Sequence, residues 1–295
     1  MKRLKTIASA IALAVIASVG AQAQILYKVE KSGSDKVSYL LGTHHFAPVA
    51  VIDSISELPK ILEDVDCLYG EIDMEQMKDP SVMMGMQQKL VAPADSTLDK
   101  VLTATQLDSL KQVWDKYTGG AAPLEMMYMV KPAVITTQLS ALMVQKVLPE
   151  INPMEGIDMT MQNRARDLGK KVGGLETFDF QVDMLYDRPV SEQAKELVKI
   201  ISDVPAEERK ALDLSNAYLN HDIDKILSMM TDMEKEDPES CERMIYSRND
   251  NWVTKLSEEM PERSVMVVVG AAHLAGDRGV IAGLRNAGFN VTAVK

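Results

Sequence analysis

The sequence is poor in cysteine, histidine and aromatic residues: two, four and 5 % of its 295 positions. Two cysteines exclude the disulfide framework of a small secreted domain. Neither Cys67 nor Cys241 has the CxxC neighbour of a redox or metal-thiolate site, so buried free thiols are expected, with a Cys67 to Cys241 bridge as the alternative. Basic residues are in the minority, 32 against 43 acidic ones, and the net charge of -11 repels phosphate backbones, which argues against nucleic acid as the main partner. Beyond residue 23 no apolar run reaches the roughly 20 residues of a membrane-spanning helix. Ordinary aliphatic content excludes disorder. No repeat of fixed period, low-complexity tract, flexible linker or HExxH zinc motif is present.

What is present begins with an export signal. Residues 1–23 carry a positive start, "MKRLK", an apolar and small-residue stretch, "TIASAIALAVIASVG", and an A-x-A site, "AQA", ahead of Gln24. Cleavage after Ala23 is expected. With no cysteine at the junction a lipid anchor is not, so the mature chain 24–295 is expected to be released, without a stable membrane anchor, as a periplasmic or secreted single domain.

The mature chain reads as α/β. "ILYKVE" and "VSYLLG" flank the turn-forming "KSGSD" and predict a β-hairpin. "SISELPKILEDV" has helical spacing with Asp53 or Ser54 as N-cap, and "DCLYGEID" is an apolar run closed by acids. From about 80 to 260 the pattern is helical, interrupted by "KVGGLET", which is a candidate return to the sheet. "SVMVVVG", "GDRGVIAGLRNAG" and "FNVTAVK" then form a strand, a helix capped by Asp277 and ended by Gly288, and a strand, which predicts a parallel strand pair with a right-handed crossover. The expected architecture is a small mixed β-sheet core built from both chain ends, with a long helical insertion. Twenty methionines, clustered in "MMGM" and "EMMYMV", read as plastic core filler rather than a copper site.

Two apolar strands end in the same spacing: Gly42, Thr43, His44, His45 and Gly270, Ala271, Ala272, His273. Four histidines and 16 glycines placed at random would give about 0.2 such G-x-x-H pairs. The carboxyl edge of an α/β sheet is where loops diverge and ligands bind. Glu71, following Gly70 at the end of another predicted strand, belongs to the same edge, and Asp73 is its i+2 neighbour. Two imidazoles and a carboxylate are a donor set suited to a hydrolytic divalent metal.

The segments "YLLGTHHF", "EDVDCLYGEID", "GLETFDFQ", "SRNDNW" and "VGAAHLAGDRGVIAGLRNAGFNV" resemble the TraB/GumN family, which includes the Tiki proteases and plasmid pheromone-shutdown proteins. The resemblance spans most of the mature chain and is weakest in the helical middle. It implies an α/β core with paired G-x-x-H motifs and metal-dependent peptidase activity, with a fold akin to erythromycin esterase-like and ChaN-like proteins. Carried over by position, it implies His45, Glu71 and His273 as ligands of one divalent ion, manganese, cobalt, zinc or iron. Glu176 in "GLET" and Arg248 in "SRNDNW" match further polar positions, as general base and as oxyanion stabiliser or Glu71-orienting group. His44 departs from the pattern and is a substitute or second ligand.

Each assignment has a structural alternative. Glu176 equally suits a cap for a helix near Phe178. Arg248 suits a surface ion pair, Asn249 and Trp252 suit helix packing, and His221 suits a solvent-facing junction. The expected function is an exported metal-dependent hydrolase acting on a peptide or small-molecule substrate. A non-catalytic metal- or ligand-binding envelope protein is the alternative.

Overall fold

The computed structural model describes residues 25–149 and 156–294. The export signal expected at 1–23, with its cleavage site, lies outside the described residues. The fold is α/β, a six-stranded mixed sheet surrounded by helices.

The expected hairpin is β1 (Leu26–Lys31) and β2 (Val37–Thr43), paired antiparallel with Leu26 opposite Leu41. β3 (Cys67–Gly70), β4 (Lys171–Gly174), β5 (Val265–Gly270) and β6 (Phe289–Ala293) complete the order β4-β3-β5-β2-β1-β6. β4, β3, β5 and β2 are mutually parallel, so four strand exits open on one edge. "KVGG" returns to the sheet at its far side, so the helical insertion is divided in two by a strand from mid-chain.

β5 is buried at five successive residues, Val265 to Val269, because it sits between β3 and β2 with helices on both faces. Leu41, Leu68, Met266 and Val268 enter one core and Leu40, Val265, Val267 and Val269 the other. A third core, centred on Leu110, Trp114, Ile135, Leu139 and Leu197, is built within the helical insertion.

The strand pair expected from the last segment takes a different form. β6 runs in the same direction as β5 but pairs antiparallel with β1, because both edges of β5 are already occupied. Its alternation of buried Phe289 and Val291 with exposed residues is that of an outer strand. The intervening helix, Val280–Asn286, is ended by Gly288 at φ +86°, but its N-cap is Gly279 and not Asp277.

Three other expected helices are shortened or divided. "SISELPKILEDV" is helical only over Leu58–Asp64, preceded by Glu57 without a side-chain cap, and Asp53 and Ser54, expected to cap its start, instead end the short helix Ala50–Asp53. Residues 98–119 divide at Thr103, whose side chain forms a reciprocal capping box with Gln106. The segment 206–230 divides at His221, half-buried at φ +56° between helices Val204–Leu219 and Ile223–Glu236. Cys67 and Cys241 are buried free thiols.

Candidate active site

The close approach of the two G-x-x-H segments depends on a missing side chain. A Cβ on Gly42 would stand 3.1 Å from Ala271 Cα and Cβ and from Leu274 Cδ1. Small residues on both motifs let the exits of β2 and β5 lie against each other. The exits of β3 and β4 deliver Glu71 and Glu176 to the same edge, tied by a Glu176 N–H donated to the Glu71 carbonyl at 2.9 Å.

Behind this edge the helix Ser247–Glu259, continuous with a π-helical turn at Glu242–Tyr246, drives Arg248 into the interior. The Arg248 side chain is 4 % exposed. Its Nη2 donates to Glu71 Oε2 at 2.5 Å and to Glu176 Oε1 at 2.7 Å, its Nε to Glu176 Oε2 at 3.0 Å, and its Nη1 to the Met244 carbonyl at 2.8 Å. Trp252, one turn on, donates Nε1–H to Glu176 Oε2 at 3.2 Å and lies under the guanidinium at 4.7 Å. A buried guanidinium needs compensating charge and filled donors; here two carboxylates and a carbonyl supply both.

Hydrogen bonding assigns the His273 tautomer. Asn249 Nδ2 donates to the carbonyls of His273 and Arg278, so Asn249 Oδ1 is the acceptor that faces His273 Nδ1 at 2.7 Å. Nδ1 therefore carries the proton and Nε2 accepts from Arg248 Nη1 at 3.1 Å. Burial holds this ring neutral, with its pKa pushed down to about 4. For Glu71, burial alone acts upward, but the positive charge of His273 when protonated and of Arg248 outweighs it and brings the carboxyl down to about 2. Glu71 also accepts from Gly270 N–H at 3.0 Å and Gln181 Nε2 at 3.2 Å.

Glu71 faces a cavity of about 340 Å³, whose other polar lining includes His45, Asp158 and Gln181. His45 Nδ1 meets Asp158 Oδ2 at 3.0 Å, and Thr43 Oγ1 donates to Asp158 Oδ1 at 2.9 Å. Asp158 raises the pKa of His45 above the usual imidazole value. With 60 % of the His45 side chain exposed, solvent screens that pair. The bond through Nδ1 leaves Nε2 as the ring's working atom. His44 takes no part in the cavity lining. Its Nδ1 accepts from Phe46 N–H, its Nε2 meets Ser215 Oγ at 3.2 Å, and its ring packs on Tyr218. It is a turn and packing residue here.

The structure thus brings all five expected residues to one edge, in two layers. Glu71 and His45 border the cavity; Arg248, Glu176 and His273 lie behind. Glu176 is turned onto Arg248, Trp252 and Gln181, and the helix at Phe178 is capped by Thr177 instead. His273 Nε2 and Glu71 Oε1 are 3.8 Å apart. Among the described residues no group of three histidine, cysteine, aspartate or glutamate side chains is arranged to hold a metal ion. The physical reason lies in the donor set: the lone pair of His273 Nε2 and one oxygen of Glu71 already take hydrogen bonds from Arg248, and a divalent ion there would meet a fixed positive charge. As folded, this set fits a guanidinium and not a divalent metal.

Asp158 and Gln181 were missed in the sequence. Asp158 sits in the first turn of the helix Ile157–Asp167, where an acid ordinarily serves the helix dipole, and Gln181 is one polar position on the helix Phe178–Tyr186. Asp73, expected beside Glu71, instead pairs with Arg166 and caps the turn at Met74–Lys78. Asn249 does more than pack, since it sets the His273 tautomer.

A family model described as the TraB/PrgY/gumN family matches residues 25–293. No curated protein and no solved structure matches.

Proposed function

The chain belongs to the TraB/PrgY/gumN family, and on that footing we propose that it is an exported hydrolase that cleaves peptide or related acyl bonds in the cavity bordered by His45 and Glu71. The observation that carries this reading is the meeting of an oriented imidazole and an ionised carboxylate, from the exits of β2 and β3 on either side of β5, on one open cavity. That is the arrangement acid–base hydrolysis requires.

In the proposed reaction the substrate carbonyl carbon lies between the two groups. The neutral form of His45, held through Nδ1 by Asp158 and made the minority form at pH 7 by its raised pKa, takes a proton from a water molecule at Nε2 as the water oxygen adds to the carbonyl carbon, so the rate is expected to rise with pH through that pKa. The resulting imidazolium gives that proton to the leaving nitrogen or oxygen as the bond to carbon breaks. Glu71, kept ionised by Arg248, accepts a hydrogen bond from the attacking water and fixes its position. Glu176, Arg248 and His273 are positioning residues: the two buried charges and the neutral ring lock Glu71 in place from behind. No step is assigned to a metal, because His273 Nε2 and one Glu71 oxygen already accept hydrogen bonds from Arg248.

The test is hydrolysis of a panel of blocked peptides and esters by the mature chain, with metal content measured on the same preparation. His45→Ala and Glu71→Gln, checked for native circular dichroism, are expected to lower kcat by at least about 100-fold. Activity that survives both substitutions in a folded protein would remove the reading. Activity that requires added manganese, cobalt, zinc or iron would restore the metal role expected from the sequence. The export component is checked by amino-terminal sequencing of the secreted or periplasmic protein, expected to begin at Gln24.

A further inference from the structure

The cavity also carries information about what it accepts. Beside its polar groups it is lined by Phe46, Ile72, Met74, Met77, Met159 and Phe178. Three of these are methionines, whose unbranched side chains adapt to differently shaped apolar partners. Met77 and Met159 each remain 37 % exposed. Apolar surface left in water at the mouth of a cavity marks a site that gains by being covered. A second cavity, of about 220 Å³, shares Phe178 as a wall and is lined by the apolar Val82, Met86 and Val182 beside Gly85, with Gln76, Ser81, Thr177 and Asp179 as its polar lining.

We propose that the substrate is an extended peptide whose bulky apolar side chain, next to the bond cleaved, fills the methionine-lined cavity, with a second apolar side chain entering the smaller cavity beyond Phe178. An extended chain sends alternate side chains to the same side, roughly 7 Å apart, which suits two compartments sharing one wall. A fatty acyl chain would require one continuous channel. The adaptable lining selects for bulk and apolarity rather than for a single residue type. The cleavage part of this statement rests on the hydrolase reading above; the binding preference does not.

The test uses the mature chain carrying His45→Ala, an exposed position whose loss spares the core, and fluorescently labelled blocked octapeptides with leucine, methionine, phenylalanine, alanine or aspartate at one position. Binding of the leucine, methionine and phenylalanine peptides is expected to be at least about tenfold tighter than that of the alanine peptide. Met77→Gln with Met159→Gln, both at the exposed rim, is expected to flatten that ratio. Gly85→Phe enters space where an added Cβ meets nothing within 4 Å, and is expected to weaken peptides with two apolar anchors more than those with one. Equal affinity for leucine, alanine and aspartate peptides overturns the proposal, as does preferential binding of a decanoyl ester. Selective binding without cleavage by the unsubstituted chain supports this inference and sinks the hydrolase reading. Cleavage without selectivity does the reverse.

Discussion

Replacing Arg248 by methionine keeps the length of the side-chain stem and removes the one positive charge that Glu71 and Glu176 share. The three side chains are 4 %, 9 % and 7 % exposed, so water cannot take over the guanidinium's role. Breaking a buried ion pair from one side costs about 3–5 kcal/mol, a large part of the roughly 5–15 kcal/mol that stabilises a typical domain. The sign of the pH dependence discriminates further. In the unsubstituted protein Glu71 has a depressed pKa; its contribution to stability is present above the unfolded carboxylate value of about 4.3 and lost as pH falls through the folded value. Without Arg248, burial, the strongest influence on Glu71, is opposed only by His273, His45 and the Gly270 N–H, and the folded pKa is expected above the unfolded one. That contribution is then present at low pH and lost as pH rises. Urea unfolding at pH 7.5 and pH 5 is therefore expected to show a deficit in Arg248→Met that narrows on acidification. A deficit below about 1 kcal/mol, the worth of an exposed pair, or one that stays constant between the two pH values, would show that Arg248 is not the buried counter-charge described here.

Asp158→Asn is expected to lower the His45 pKa toward the ordinary imidazole value, followed by NMR titration of the ring C–H. The raised pKa stabilises the fold below the unfolded value of about 6.5 and ceases to do so as pH rises through the folded value; exposure keeps the effect under about 1 kcal/mol. Asn249→Ala removes the acceptor that selects the Nδ1–H tautomer of His273, and nitrogen NMR of the ring is expected to show a mixture of tautomers, while an unchanged spectrum would mean that Arg248 alone sets it. Two glycines are expected to respond oppositely to alanine in thermal melts. At Gly174 a Cβ would run into backbone atoms of Glu176, Asp73 and Ile72 and cost about 1–3 kcal/mol, whereas at Gly85, in a helix with open space beside it, it would stabilise by about 0.5–1 kcal/mol.

The hairpin, the buried run Val265–Val269, the strand Cys67–Gly70 and the paired strand-end histidines were all legible before any coordinates, because alternation, turn residues and glycine spacing are local properties of a chain. So was the shared edge for His45, Glu71 and His273, since strand exits in an α/β sheet follow from strand direction. What the sequence left undecided is which groups meet. Asp158 and Gln181 sit on helices whose rotation about their axes depends on packing. The place of β6 depended on which strand edges remained free. Above all, three plausible metal ligands differ from two carboxylates and an imidazole built around a guanidinium only by where the Arg248 side chain goes. That is decided when the helix Ser247–Glu259 docks and the charge of Arg248, shut away from water, takes the nearest partners able to neutralise it.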